Sequence, residues 1–562
     1  MIKTFRTYML LLAGLSVGLI SCQDELDEYN PSGITAEGVY TTPAGFESLV
    51  NAAYAYSRWW YGKEDGYNLS EMGTDLWING VDGGANVALV HYENLQSNQA
   101  SVESLWAKMY EAVNLCNAGL EFVNQSGLSP DLQLQREAEI RFLRAFYYWH
   151  IVETWGGVHL STQRTQTAEP TANRNSEDDF YALIKVDLDF AVANLPYPAS
   201  QKGRVSKAGA EAFLARVHLT RGEYPQAQQL AEKVINSYGF SLVENYDDLW
   251  DMGNLENSEV VFYVNYARDL NLNDASNSIT FPNGHSRGGH NGHLHFLSTY
   301  DRNGTVGMTR DIVNGRPFAR YMPSRYLLEL FDESIDSRFH GSFETVWYCN
   351  RPGTYSKTVN GQTVEFTLEE GDTAIWATKQ VLTPEEELAR PYLVYDMESM
   401  YHPDGTYNNN RQYICLNKFL DPTRPSVAEQ QSARDAFVIR LAELYLIAAE
   451  AAMENGDVQA AAEHINVIRR RAAVPGMETA MEISPADISL DFILEERARE
   501  LAGEQLRWFD LKRTGKLVEY VTNYNPEAAP NVRAHHVLRP IPQRQLDAVI
   551  NKNEFIQNSG YQ

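Results

Sequence analysis

Cysteine is scarce in this chain, with four among 562 residues, at positions 22, 116, 349 and 415, and no CxxC pair. A thiolate zinc site and a dithiol redox motif are both excluded by that spacing. Positive charge is short too: 47 Lys and Arg face 74 Asp and Glu, for a net charge of −27. So acidic a surface repels phosphate backbones, which excludes nucleic acid as a partner and disfavours an anionic membrane face. Long apolar runs are missing as well. After the first residues, nothing approaches the roughly 18 consecutive apolar residues that mark a membrane-spanning helix.

The N terminus holds the one short apolar run. Lys3 and Arg6 precede an apolar stretch over residues 8–20, then Leu19, Ile20, Ser21 and Cys22 follow in order. This is the layout of a secretory signal, too short to span a bilayer. Leu-Ile-Ser-Cys resembles the lipobox of bacterial lipoproteins, which implies a signal over 1–21, acylation of Cys22 and a membrane tether made of lipid. The plain alternative is a secretory signal with an incidental cysteine. Residues 22–40 read as a flexible acidic tether, through Asp24, Glu25, Asp27 and Glu28; that acidic patch resembles a surface-export signal.

From Thr42 the pattern is helical. Thr42 is an N-cap with Pro43 at the first position, and Phe46, Leu49, Val50 and Ala53 recur at helical spacing. Further helices are expected over 105–123, 132–154 and 181–193. The second of these carries Phe142, Ala145, Phe146, Trp149 and Val152 on one side and stops at Gly156 and Gly157. A helical hairpin around Ala215, Leu219, Gly222, Ala227, Ala231 and Val234 returns as Ala449, Met453, Gly456, Ala461, Ile465 and Ile468. Small residues at the close approaches and a glycine after each first helix mark a tetratricopeptide-like pair. The expected fold is mostly α, a tetratricopeptide-like α–α superhelical scaffold over 41–243 and 433–562. Between them lies an irregular, loop-rich insert, 244–432, with short β-hairpins suggested by Val260 to Val264 and by the alternation at Thr363, Val364, Glu365, Phe366 and Thr367. Cys116 reads as a small buried residue; Cys349 and Cys415 could pair, although their spacing does not demand it.

Several segments together resemble the SusD/RagB family of outer-membrane nutrient-binding lipoproteins. Arg141, Phe142, Leu143, Arg144, Ala145, Phe146, Tyr147 and Tyr148 stand where the family has a similar arginine-aromatic helix, and Gly156, Gly157 and Val158 follow, with His159 in place of the usual proline. Glu495, Glu496, Arg497, Glu500, Glu504, Arg507, Trp508, Asp510 and Arg513 match its most specific motif. Pro540, Ile541 and Pro542, then Gln557, Asn558, Ser559, Gly560 and Tyr561, are close to its endings, with serine for proline. The resemblance implies a protein at the outer membrane, lipid-anchored and facing outward, that captures a glycan and passes it to a SusC-like TonB-dependent transporter. It implies no catalysis, cofactor or metal. Peptide binding, as in the RagB branch, stays open as an alternative, and a surface glycoside hydrolase is the rival from another class, needing two carboxylates across a cleft.

Glu496, Arg497, Glu500, Glu504, Arg507, Asp510 and Arg513 recur at three- and four-residue spacing along one strip and read as a structural ion-pair network, since a carboxylate beside arginine is held ionised. Ligand-binding candidates come from aromatic and polar loop residues, because sugars offer apolar faces edged by hydroxyls. Trp77 between Asp75 and Asn79 is the expected stacking platform, with Trp60 and Tyr61 nearby. Arg287, His290 and Tyr300 form a second cluster in the histidine-rich run 285–295, which reads as polar recognition rather than metal ligation. Trp347, Tyr348, Trp376 and the stretch 401–410 are further candidates.

Overall fold

A computed structural model describes residues 35–83, 87–273, 288–302 and 305–561. Cys22, Arg287, the signal and most of the tether lie outside the described residues.

Ten helices carry the frame: α1 (Pro43–Ala55), α2 (Ala100–Phe122), α3 (Pro130–Trp155), α4 (Glu177–Asn194), α5 (Lys207–Thr220), α6 (Tyr224–Ser237), α7 (Leu441–Glu454), α8 (Val458–Ala472), α9 (Leu490–Leu501) and α10 (Arg507–Arg513). The Thr42 hydroxyl accepts from Gly45 N–H at 3.2 Å and Pro43 opens α1, as the capping pattern requires. Helix α4 is capped by Ser176, whose hydroxyl and Asp179 form a reciprocal capping box, so it starts at Glu177, earlier than its apolar spacing indicates. Gly156 ends α3 with φ +74, a conformation that favours glycine.

Helix α3 departs from the one-sided pattern. Every residue from Phe142 to Trp155 is buried, so it is the central post of the larger core and not a surface helix. The hairpins α5–α6 and α7–α8 share one register: each first helix ends two residues before a left-handed glycine, Gly222 (φ +68) or Gly456 (φ +87), and each second helix starts two residues after it. They are joined by the Arg216 guanidinium, which donates twice to Glu443 at 2.7 Å.

Six strands matter for the site: β1 (Trp77–Asn79), β2 (Val260–Val264), β3 (Tyr321–Pro323), β4 (Gly353–Val359), β5 (Gln362–Leu368) and β6 (Ala436–Arg440). β4 and β5 form the hairpin expected around Thr363, turning at Asn360 and Gly361, both with positive φ. β2 does not. It pairs antiparallel with β6, at the far end of the insert, and so ties the insert's entry to its exit. A second apolar core gathers Tyr67, Trp77, Phe296, Tyr321 and Phe419 from the early loop and the insert. Among the described residues, no helix is long and apolar enough to cross a membrane.

Cys349 and Cys415 are not paired; both are free and buried, as is Cys116. Burial pushes the Cys415 thiol up to about 12, although the Ser298 N–H points at its sulfur from 2.9 Å. The expected result with Ellman's reagent is negligible reaction of these three thiols in the native protein and full reaction of all three after denaturation. Rapid native labelling would contradict their burial.

Candidate functional site

Three loops are stitched into one face by their backbones. The β1–β3 ladder runs on past its ends: Gly80 N–H donates to Arg320 O at 2.9 Å and Asp82 N–H to Ala319 O at 3.0 Å. Val81 N–H donates to Asn410 O at 3.0 Å, and Thr299 N–H to Arg411 O at 2.7 Å. Gly80 has to be glycine here, because a Cβ would sit 2.3 Å from the Ala319 carbonyl oxygen. Ala319 has φ +47, a strained value for a residue with a side chain, and it separates two groups that share the face, Phe318 and Arg320.

Half-buried Phe318 lies under two cations. The Arg316 and Arg320 guanidiniums stand 5.6 and 5.7 Å from its ring centre. Arg302 pairs with Asp82, Arg320 also donates to the Asp82 carbonyl, and Arg320 Nε lies 3.1 Å from Glu64. The face continues through Arg310, which donates to Asp301 at 2.5 Å, to Asn350, whose amide donates to Asp311 and to Thr309 O, both at 2.8 Å. Tyr348 (59 % exposed) lies beside Asn350, and Tyr407 (41 % exposed) leads into the Asn410 loop. Chemically this is an aromatic surface rimmed by forked donors, amides and carboxylates, the set that pairs with the apolar faces and vicinal hydroxyls of a sugar.

The platform expected at Trp77 is not there, and this is a correction. Trp77 is wholly buried, its indole N–H donating to Glu71 at 2.8 Å and its ring 4.7 Å from Phe296. Asp75 takes a two-pronged ion pair from Arg507 at 2.8 and 2.5 Å. Asn79 meets His91 at 2.8 Å and is almost wholly enclosed. Trp60 packs on His150 at 4.6 Å, and the Tyr61 hydroxyl meets His150 Nε2 at 3.2 Å. His290 packs against Tyr266 and Phe419, and the Tyr300 hydroxyl donates to Gly315 O at 2.6 Å; both residues are buried. All seven side chains are interior: Trp77 and Tyr300 belong to the second core under the face, and Trp60 and Tyr61 to the larger helical core. Their loops do meet, but the side chains at the rim are neighbours of the named ones: Asp82 beyond Asn79, Arg302 beyond Tyr300. Phe318, Arg316 and Arg320 were missed. The signal for them was available in the charges: residues 301–320 hold four arginines, two aspartates, and no lysine or glutamate, in a chain dominated by acid.

The described histidines of the run, His290, His293 and His295, are internal as well. Burial, together with neighbouring His295, Arg434 and Lys63, holds the His290 and His293 imidazoles well below the usual range, so they are neutral at neutral pH. Among the described residues, no group of three or more His, Cys, Asp or Glu is arranged to hold a metal ion.

The acidic strip of α9 and α10 lies far inside. Glu500 accepts from Arg338 at 2.9 Å, Arg440 at 2.6 Å and Arg471 at 2.5 Å; Glu496 from Arg338, Arg469 and Arg499 at 2.8 to 2.9 Å; Glu504 from Arg440 at 2.7 Å and Lys418 at 3.0 Å. Arg497 and Arg513 share Asp510, at 2.7 and 2.9 Å, and Arg513 also reaches Glu450. Most partners come from other elements, where helical spacing alone suggested pairing along the strip. Burial works against ionisation, yet the guanidiniums hold Glu496 down to about 2, the wrong poise for a general acid.

Residues 258–561, more than half of the chain, match the model of the SusD family, and residues 26–219 match a family described as "Starch-binding associating with outer membrane". This chain belongs to the SusD family. It is 25 % identical to SusD-like protein P25 of Formosa agariphila, over 96 % of this chain and 97 % of that one. Among solved structures, a laminarin-binding SusD-like protein superimposes with a TM-score of 0.69 at 23 % identity, covering 92 % of this chain and 99 % of that one. Surface glycan-binding protein A from Bacteroides thetaiotaomicron, in complex with laminarihexaose, gives 0.67 at 20 % identity, with 92 % and 99 % covered. At those identities the likeness is one of fold.

Proposed function

We propose that this SusD-family protein is a glycan-capturing lipoprotein: Cys22 carries the acyl chains that tether it to the outer membrane, and the face around Phe318 holds an oligosaccharide outside the cell for a SusC-like TonB-dependent transporter. The observation that carries this reading is half-buried Phe318 with two guanidiniums over its ring, on a rim joined by Asp82, Arg302, Asn350 and Asn410. Solved relatives described as binding laminarin or laminarihexaose support the ligand class.

Capture without cleavage fits the acids. Of the carboxyls that burial pushes upward, Glu71 (to about 7) and Asp435 (to about 6) are enclosed in the interior, and half-buried Glu344 (to about 6) has no second raised carboxyl among the groups that shift it. Isothermal titration against a glycan panel is expected to find one polysaccharide or its oligomers bound near micromolar Kd, about −8 kcal/mol, with no sugar released. Phe318→Ala should weaken that binding about tenfold or more and leave the unfolding midpoint almost unchanged. A flat panel would overturn the reading, and release of product would convert it to hydrolysis.

A further inference from the structure

We propose that the face around Phe318 is built for an anionic glycan, one bearing carboxylate or sulfate groups; the inference rests on the reading above and names its substrate class. The charge placement is the reason. Four arginines, Arg302, Arg310, Arg316 and Arg320, gather on one face of a chain that carries −27 overall, and the backbone of exposed Arg411 joins that face through Thr299 N–H. Three have carboxylate partners: Arg302 has Asp82, Arg310 has Asp301, and Arg320 has Glu64. Arg302 and Arg310 still keep 40 % and 37 % of their side chains in solvent, so donors on each fork remain open.

Arg316 and Arg411 are different. Among the described residues neither is in an ion pair; Arg316 donates to a backbone carbonyl, Ala428 O, and Arg411 is exposed. The Arg316 guanidinium feels the like charge of Arg310 in addition to its partial burial, and Glu429 and Asp301 act on it in the opposite sense without pairing with it. A bound anion adds the direct partner that Arg316 lacks, which a neutral sugar does not supply.

Geometry favours a charged pyranose. A pyranose against the exposed part of Phe318 meets the guanidiniums that stand over that ring, 5.6 and 5.7 Å from its centre. A guanidinium fork matches a carboxylate or sulfate with two parallel hydrogen bonds, which a lone hydroxyl cannot accept in the same way.

The test uses the full-length protein on native affinity gels and by titration, with polygalacturonate, alginate and chondroitin sulfate against laminarin, dextran and galactomannan. Expected is retardation by at least one anionic polymer, with affinity at least tenfold above that for any neutral one. The double variant Arg316→Gln, Arg411→Gln should lose tenfold or more for that polymer, and Arg316→Lys, which keeps the charge without the fork, should lose less. Unchanged unfolding midpoints would show that the variants fold. Binding of neutral polymers through Phe318 with no preference for anionic ones, or anionic binding that the double variant leaves within twofold, overturns this inference while glycan capture stands. Binding to no member of the panel overturns both.

Discussion

Replacing Glu500 with alanine is expected to cost on the order of 4 kcal/mol or more, enough to leave much of the protein unfolded at moderate denaturant. The carboxylate is fully enclosed and accepts from Arg338, Arg440 and Arg471 together. Its removal takes one partner from each of three buried guanidiniums, all of which keep others: Arg338 has Asp336 and Glu496, Arg440 has Glu259 and Glu504, and Arg471 has Glu259. The loss is therefore one of balance as well as of bonds. It also opens the joint between α9, the exit of the insert at Arg440 and the end of α8 at Arg471. Urea unfolding followed by far-UV circular dichroism measures it. Glu500→Gln, which retains the shape and one acceptor, should fall between wild type and alanine. A loss below about 1 kcal/mol for alanine would mean that water reaches the cluster.

Acidification from pH 7 to pH 4 is expected to be nearly as damaging. Burial lowers His150 to about 3; burial and the adjoining His535, Arg539 and Arg533 lower His536 to about 3; His290 and His293 lie well below their usual value. An unfolded chain protonates these rings near 6.5, whereas the folded one does not until far lower pH, so stability is full above about 6.5 and falls as pH drops through that value. His150 alone removes about 3 kcal/mol by pH 4. Glu71, Asp435 and Glu344 work in the opposite direction: burial raises them to about 7, 6 and 6, so their protonation relieves the fold as pH falls from 7 toward about 4. Four displaced histidines outweigh them. Below about 4.5 the second loss begins, because the guanidiniums around Glu496 and Glu500 hold those carboxyls low and their stabilisation disappears as they protonate. Urea midpoints at pH 8, 6, 5 and 4 should decline steadily. A flat profile between 6.5 and 4.5 would place the imidazoles in contact with solvent.

Legibility divided along sequence distance. The cap at Thr42, the left-handed glycines at 222 and 456 and the repeated small residues of the two hairpins could be read directly, because each depends on neighbours within a few positions. The burial of Trp77 could not be read that way. An aromatic ring on a glycine-bearing loop looks exposed until Phe296, more than two hundred residues later, packs against it, and Asp75 looks free until Arg507 arrives from the far end of the chain.

By itself the amino-acid order determined the helical class, the paired-helix repeat, the acidic balance and the ionic motif of α9 and α10, all of which follow from local periodicity and composition. Only the tertiary structure decided which loop residues face water. Three distant segments had to meet before Asp82, Arg302, Phe318 and Arg320 could form a rim and Asp75, Trp77 and Tyr300 could become its floor, and burial is a property of what a residue meets, which spacing along one strand of chain does not encode.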